Sequence, residues 1–191
     1  MASTIYLIPT VLDEAADETI APYILSAIKQ CKVIFAENER TARRFFKKMD
    51  REIVIDDFEW FTIHKAEAEV VDSFRKKIKE QKNIAIISEA GCPGIADPGQ
   101  VLIAAAQHLN TTVKPLVGPS AILLALMASG MNGQQFEFVG YLPIDITERN
   151  KAIAVLETNS YKKNSTQIFI ETPYRNNQLI ENLLKVCKPD T

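Results

Sequence analysis

The chain has 191 residues, 47% of them hydrophobic, and a formal net charge of −2 from 22 Lys and Arg against 24 Asp and Glu. That length holds one large domain or two small ones, the apolar share suffices for a real core, and the near-neutral balance gives no support to nucleic-acid binding through overall charge. Cys31, Cys92 and Cys187 are far apart and show no CxxC or Cys/His spacing, so neither a metal site nor a disulfide framework is indicated. Free thiols suit a reducing, cytoplasmic setting. The opening MASTIYLIPTVLDEAADE lacks the basic start of a secretory signal, and no apolar run reaches the roughly 18 residues of a membrane span.

Taken in order, Thr4-Ile5-Tyr6-Leu7-Ile8 reads as a strand ended by Pro9, with an acidic loop after it. Ile20, Tyr23, Ile24, Ala27, Ile28 and Cys31 form the apolar stripe of a helix over 20–32. Val33-Ile34-Phe35-Ala36 is a second strand, running into Glu37-Asn38-Glu39-Arg40 and the basic helix TARRFFKKM. Ile53-Val54-Ile55 is expected as a third strand, with 60–64 either extended or loop. Residues 66–81 are amphipathic, with Val70, Val71, Phe74 and Ile78 on one face. The run Ile84-Ala85-Ile86-Ile87 is apolar throughout and reads as a buried strand, followed by the loop SEAGCPGIADPG and a helix at about 99–109.

Val113-Lys114-Pro115-Leu116-Val117 is strand-like and leads through Gly118-Pro119-Ser120 into the apolar helix AILLALMASG. Ser120 is the expected N-cap and Gly130 the residue past the end. Phe136 to Tyr141 alternates as a strand, 148–159 is a polar helix, Thr166 to Ile170 another strand, and a helix covers about 176–186. Such alternation implies a mostly parallel sheet covered on both faces. A boundary near 110–118 divides the chain into α/β domains over 1–113 and 114–191. Lys188-Pro189-Asp190-Thr191 follow a helix directly, so the expectation is a missing final strand pair or a fragment of a longer chain.

Three of the seven glycines, Gly91, Gly94 and Gly99, fall in the 88–99 loop. Ligands of open α/β sheets sit outside the carboxyl ends of the strands, so the loop either approaches a ligand closely or simply turns the chain. Glu89 is the first candidate for a polar group there, or else caps the loop's own amides. Arg40, with Arg43, Arg44, Lys47 and Lys48, makes a local basic helix that contacts RNA backbone or forms a solvated face. His64 is a candidate acid/base by its ordinary pKa, with a structural role as the alternative. His108 reads as structural, nothing near Cys92 suggests a thiolate nucleophile, and Tyr174 and Arg175 either reach a cleft or cap and pack their helix.

SEAGCPGIADPG, VKPLVGPSAILLALMASGM, FEFVGYLP and IFIETPYR occur in the order and rough spacing of the tetrapyrrole methylase superfamily, which the chain resembles over nearly its whole length. The branch it is most similar to is the small-subunit ribosomal RNA methyltransferase I group, whose strand and helix after the first βα unit VIFAENERTARRFF also resembles. The resemblance implies two α/β domains, a mostly parallel sheet in the first and a mixed sheet in the second, with S-adenosylmethionine in the cleft between them and a homodimer as the assembly. Carried over by motif, the cofactor contacts are Leu12; Glu89, Ala90, Gly91 and Ile95; Ser120 and Ala121; and Ile170 with Glu171. No metal is implied. The chain departs from the family pattern in having Pro9-Thr10-Val11-Leu12-Asp13-Glu14 where a glycine-containing loop of the type GTPIGN is usual. It also has Asn38-Glu39-Arg40 for an Asp-Thr-Arg, His64-Lys65-Ala66-Glu67 for a His-Glu-His-Asn run, and no Arg-Glu-Leu-Thr-Lys segment.

The leading expectation is therefore 2′-O-methylation of a ribosomal cytidine, on ribosomal RNA or a small-subunit particle. The alternatives are methylation of a small tetrapyrrole-type molecule and a non-catalytic homologue acting as a binding module. A nicotinamide enzyme is disfavoured because no GxGxxG opens the first helix.

Overall fold

The computed structural model describes residues 2–63 and 67–191. It divides into two compact units, Met1–Ala121 and Ile122–Thr191. In the first, β1 (Thr4–Ile8), α1 (Tyr23–Gln30), β2 (Val33–Ala36), α2 (Glu39–Met49), β3 (Glu59–Thr62), α3 (Glu67–Lys79), β4 (Ile84–Ile87), α4 (Gln100–His108) and β5 (Thr112–Pro115) follow one another. The sheet order is β3-β2-β4-β1-β5, and every neighbouring pair is parallel.

The apolar strand runs have a simple cause. Tyr6, Ile8, Ile34, Ala36, Ala85 and Ile87 face α1 and α2, where Ile24, Ile28, Phe45 and Phe46 meet them. The alternate residues Ile5, Val33, Phe35, Ile84 and Ile86 face α3 and α4, against Phe74, Leu102 and Ala106. Both faces are covered, and β2 and β4 in the middle of the sheet are apolar and buried at every position. This division also locates a site. The chain leaves β1 toward one face and leaves the adjacent β4 toward the other, the arrangement at which open α/β sheets form a ligand crevice beyond the carboxyl ends of their strands.

Two expected elements shift. Ile53-Val54-Ile55 is not a strand: Asp57 N–H bonds back to Val54 O, and a 3-10 turn covers Ile55–Asp57. The strand beside β2 is Glu59–Thr62, because Trp60 and Phe61 supply large side chains to opposite faces while Ile53 alone is buried. Helix α1 begins at Tyr23, after Pro22 at the N-cap, and Ile20 packs on the core from the preceding loop.

The second unit holds most of α5 (Ala121–Ser129), then β6 (Phe136–Tyr141), α6 (Ile146–Lys163), β7 (Thr166–Ile170) and α7 (Asn176–Val186). Its two strands pair in parallel where the resemblance implies a mixed sheet, since the helical crossover α6 returns the chain in the same direction. Helix α6 is longer than its polar stretch suggests, capped by the Asp145 carboxylate on Glu148 N–H and closed by Asn164 in the left-handed region. Leu142, Ile153 and Leu179 centre a small core with Val139, Phe169 and Leu183. Helix α5 has no buried residue, and Leu123, Leu124 and Met127 are exposed. Among the described residues no helix is long and apolar enough to cross a membrane.

Candidate functional site

Three loops of the first unit meet at the carboxyl ends of β1, β4 and β5. Thr10 N–H donates to Gly91 O at 2.9 Å, which ties the first loop to the loop after β4. Gly91 adopts φ +71°, and a Cβ there would lie 3.3 Å from Leu12 Cδ2 and 3.4 Å from Pro119 O. Leu12, Gly91 and the turn at 118–120 are therefore neighbours. A Cβ on Gly118 would overlap the Pro9 ring, which explains the glycine of the GPSA turn as a close approach between the β1 and β5 loops. Cys92 Sγ points at Pro119 O at 3.5 Å, and burial raises its thiol pKa, which disfavours a thiolate.

The first loop manages without glycine because none of its residues from Pro9 to Glu14 has positive φ. Strain sits elsewhere: Ala96, in the β4 loop, is held at φ +62°.

Glu89 is exposed at the start of the loop after β4. Its N–H donates to the Glu37 carboxylate at 2.8 Å, and its own carboxylate accepts from Thr41 Oγ1 at 3.1 Å. The loop's amide is thus capped by Glu37 from the end of β2, while Glu89 reaches toward α2. Asp97 completes an acidic group that sequence reasoning passed over. Partial burial, then the charges of Glu37 and Glu89, push its carboxyl up to about 6 against a lowering bond from Ser88. The DPG run marks a turn, but nothing local signals carboxylates contributed by separate segments.

Leu12 is 39% exposed and Ile95 52%, so both present apolar surface at these loops. Ala90 and Ala121 are exposed, and Ser120 is half-buried. Arg40 lies on the first turn of α2, its N–H bonded to the Asn38 side chain at 3.1 Å. His64 lies outside the described residues. His108 bonds within its own helix, to Ala104 O at 2.8 Å.

Ile170 and Glu171 belong to the second unit, at the end of β7. Glu171 is almost enclosed and accepts from Arg175 Nε at 2.8 Å and Thr172 N–H at 2.7 Å. Burial pushes its carboxyl up, but those bonds outweigh it and leave the pKa below the ordinary range. Arg175 is accordingly engaged with Glu171, while Tyr174 is exposed. Among the described residues no group of three or more His, Cys, Asp or Glu side chains is arranged to hold a metal ion.

The chain is 29% identical over 185 residues to ribosomal RNA small subunit methyltransferase I of Micromonospora olivasterospora, covering 97% of this chain and 56% of that protein. The protein of that name from Streptococcus pyogenes serotype M3 is 32% identical over 183 residues, covering 96% and 60%. This chain thus spans little more than half the length of these relatives. Among solved structures, the methyltransferase CobJ superposes with a TM-score of 0.62 at 16% identity, over 98% of this chain and 77% of that one. A uroporphyrin-III-C-methyltransferase from Thermus thermophilus gives 0.50 at 15% identity, over 75% and 65%. At these identities the structural likeness speaks for the fold alone. The profile of the Tetrapyrrole (Corrin/Porphyrin) Methylases matches residues 16–191, from just past the glycine-free loop onward, and with the parallel sheet and its crevice it settles the matter: this chain belongs to the tetrapyrrole methylase family.

Proposed function

We propose that the chain is the cofactor-binding and part of the substrate-binding portion of an S-adenosylmethionine-dependent methyltransferase that acts on ribosomal RNA, at the ribose 2′-oxygen of a cytidine. The carrying observation is the sequence likeness to the ribosomal RNA methyltransferases over 96–97% of the chain. The small-molecule alternative has less support, because the tetrapyrrole-type enzymes are similar at only 15–16% identity.

The residues present suit the cofactor. Leu12 and Ile95 offer apolar surface for an adenine ring, Glu89, Ala90 and Gly91 with Ser120 and Ala121 offer polar groups and backbone, and Glu37, Glu89 and Asp97 make the crevice anionic toward a cationic donor. Ile170 and Glu171 belong to the proposed contact set from the second unit. Bound S-adenosylmethionine would supply an already activated methyl group, so positioning carries much of the catalysis. A sugar hydroxyl is a poor nucleophile and benefits from a base. Glu89 is proposed for that role, with His64 as a second acid/base and Arg40 as an acceptor or phosphate contact. A homodimer in the cytoplasm completes the reading, with the apolar surface of α5 as the feature that favours self-association.

The test is thermal unfolding with and without S-adenosylhomocysteine, with NADH as control. Ligand at 100 times its dissociation constant adds about 2.7 kcal/mol of stability, so the midpoint rises with S-adenosylhomocysteine alone. Methyl transfer to small ribosomal subunits is then the activity to measure. No shift at millimolar ligand overturns the cofactor reading for this chain.

A further inference from the structure

The acidic loop between β1 and α1 lies against the basic helix α2. Thr41, Arg44 and Lys48 follow one another at helical spacing on one stripe of α2. With Val11, Glu14 and Phe45 they line a groove of about 260 Å³. Arg44 Nη2 stands 3.9 Å from the Glu14 carboxylate, and Lys48 Nζ 2.8 Å from that of Asp17 while also donating to Glu14 O. The other cations of α2 have different arrangements. Arg43 pairs with Glu39 on its own helix and lies over the Trp60 ring, Lys47 donates to Arg51 O, and Arg40 has no ion pair among the described residues. Arg44 and Lys48 are thus the two α2 cations that form ion pairs with carboxylates outside the helix, and the same stripe touches the candidate site where Thr41 bonds Glu89.

We propose that Glu14 and Asp17 occupy the places of two backbone phosphates on Arg44 and Lys48, so that the acidic loop is a gate which an RNA strand must displace to run along α2 toward the crevice. The inference rests on the RNA reading above. Both ion pairs are largely solvent-exposed, with side-chain exposures of 64% and 91% for Arg44–Glu14 and 45% and 55% for Lys48–Asp17. Exposed pairs are weak, whereas a polyanion gains from counterion release at each phosphate it places. Pairs this weak yield to a nucleic-acid strand.

The experiment measures binding of a fluorescein-labelled single-stranded RNA of about 20 nucleotides at several KCl concentrations. The Glu14→Gln/Asp17→Asn variant is expected to bind roughly 2- to 30-fold more tightly at low salt, as two exposed pairs no longer compete. Its log affinity keeps the wild-type dependence on log salt, because both complexes place the same two phosphates on Arg44 and Lys48, whereas Arg44→Ala/Lys48→Ala lowers that slope by about 1.4, the value for two single-strand phosphate contacts. The Asp72→Asn/Glu181→Gln variant makes the same charge change at two exposed positions on other helices and controls for net charge. Arg44→Ala/Lys48→Ala weakens binding, and in the Glu14→Gln/Asp17→Asn background it removes the gain. All six substituted positions are exposed, and circular dichroism checks that each variant folds. If Arg44 and Lys48 matter for binding but the loop variant only matches the charge control, the gate is overturned and RNA binding along α2 stands. If no variant shows binding that depends on Arg44 and Lys48, both fall.

Discussion

At the scale of single residues, the site is built on close approaches that permit few substitutions. Gly118→Ala puts a methyl into the Pro9 ring, which has no rotamer to yield. Overpacking of this kind costs about 1–3 kcal/mol, so the variant's urea midpoint falls and S-adenosylhomocysteine no longer shifts its thermal midpoint fully. Asp97 gives a prediction of opposite sign. Its folded pKa, about 6, stands above the ordinary aspartate value of 3.8, so the folded state holds the proton more tightly than the unfolded chain. Its contribution to stability is complete at low pH, declines as pH rises from about 4 to 6, and is a standing penalty at neutrality. Asp97→Asn removes the charge while keeping an acceptor for Ser88. The variant is expected to be more stable than wild type at pH 7, with the difference shrinking toward pH 4. Asp50, Glu59 and Glu171 have lowered pKa values and lose stability on acidification, so the difference between the two proteins is what reports on Asp97. A difference independent of pH overturns the assignment.

At the scale of elements, legibility followed burial. β1, β2 and β4 stood out in the sequence because covering on both faces demands unbroken apolar runs. β3 sits at the edge, half-exposed and beginning with a glutamate, so the false run Ile53-Val54-Ile55 outweighed it. What identified the true strand was non-local. Phe61 stacks on Phe35 at 4.7 Å, and Phe35 meets Phe74 edge-on at 5.2 Å, joining β3, β2 and α3. Phe35→Ala is expected to cost about 3–5 kcal/mol, whereas Tyr174→Ala, at an exposed position, leaves the urea midpoint within error. The site shows the same limit. Its glycines were visible as motifs, but the reasons for Gly91 and Gly118, namely Leu12 and Pro9, lie in another loop. The Glu37–Glu89–Asp97 group and the pairing of Glu14 and Asp17 with α2 arise only when distant segments fold together.

For the whole molecule, the feature that asks for a partner is α5. A helix that is apolar all round is ordinarily found in a core, yet AILLALMAS has no buried residue, and Leu123, Leu124 and Met127 remain open to water. Leaving such surface exposed forfeits the gain from burial, about 25 cal/mol per Å², and a second copy of the chain is the proposed cover. In that case light scattering finds a dimer at micromolar concentration. Leu124→Glu with Met127→Glu makes it a monomer by placing unpaired charge in the contact, a change that breaks association far more than it disturbs the fold. Both side chains are at least half exposed in the protomer, so the monomeric variant is expected to keep its circular dichroism. It also keeps any S-adenosylhomocysteine affinity supplied by one chain, and a parallel loss of that affinity would instead make the second copy part of the site. A wild-type chain that stays monomeric at about 100 μM overturns the homodimer, because contacts that weak do not persist at cellular concentrations.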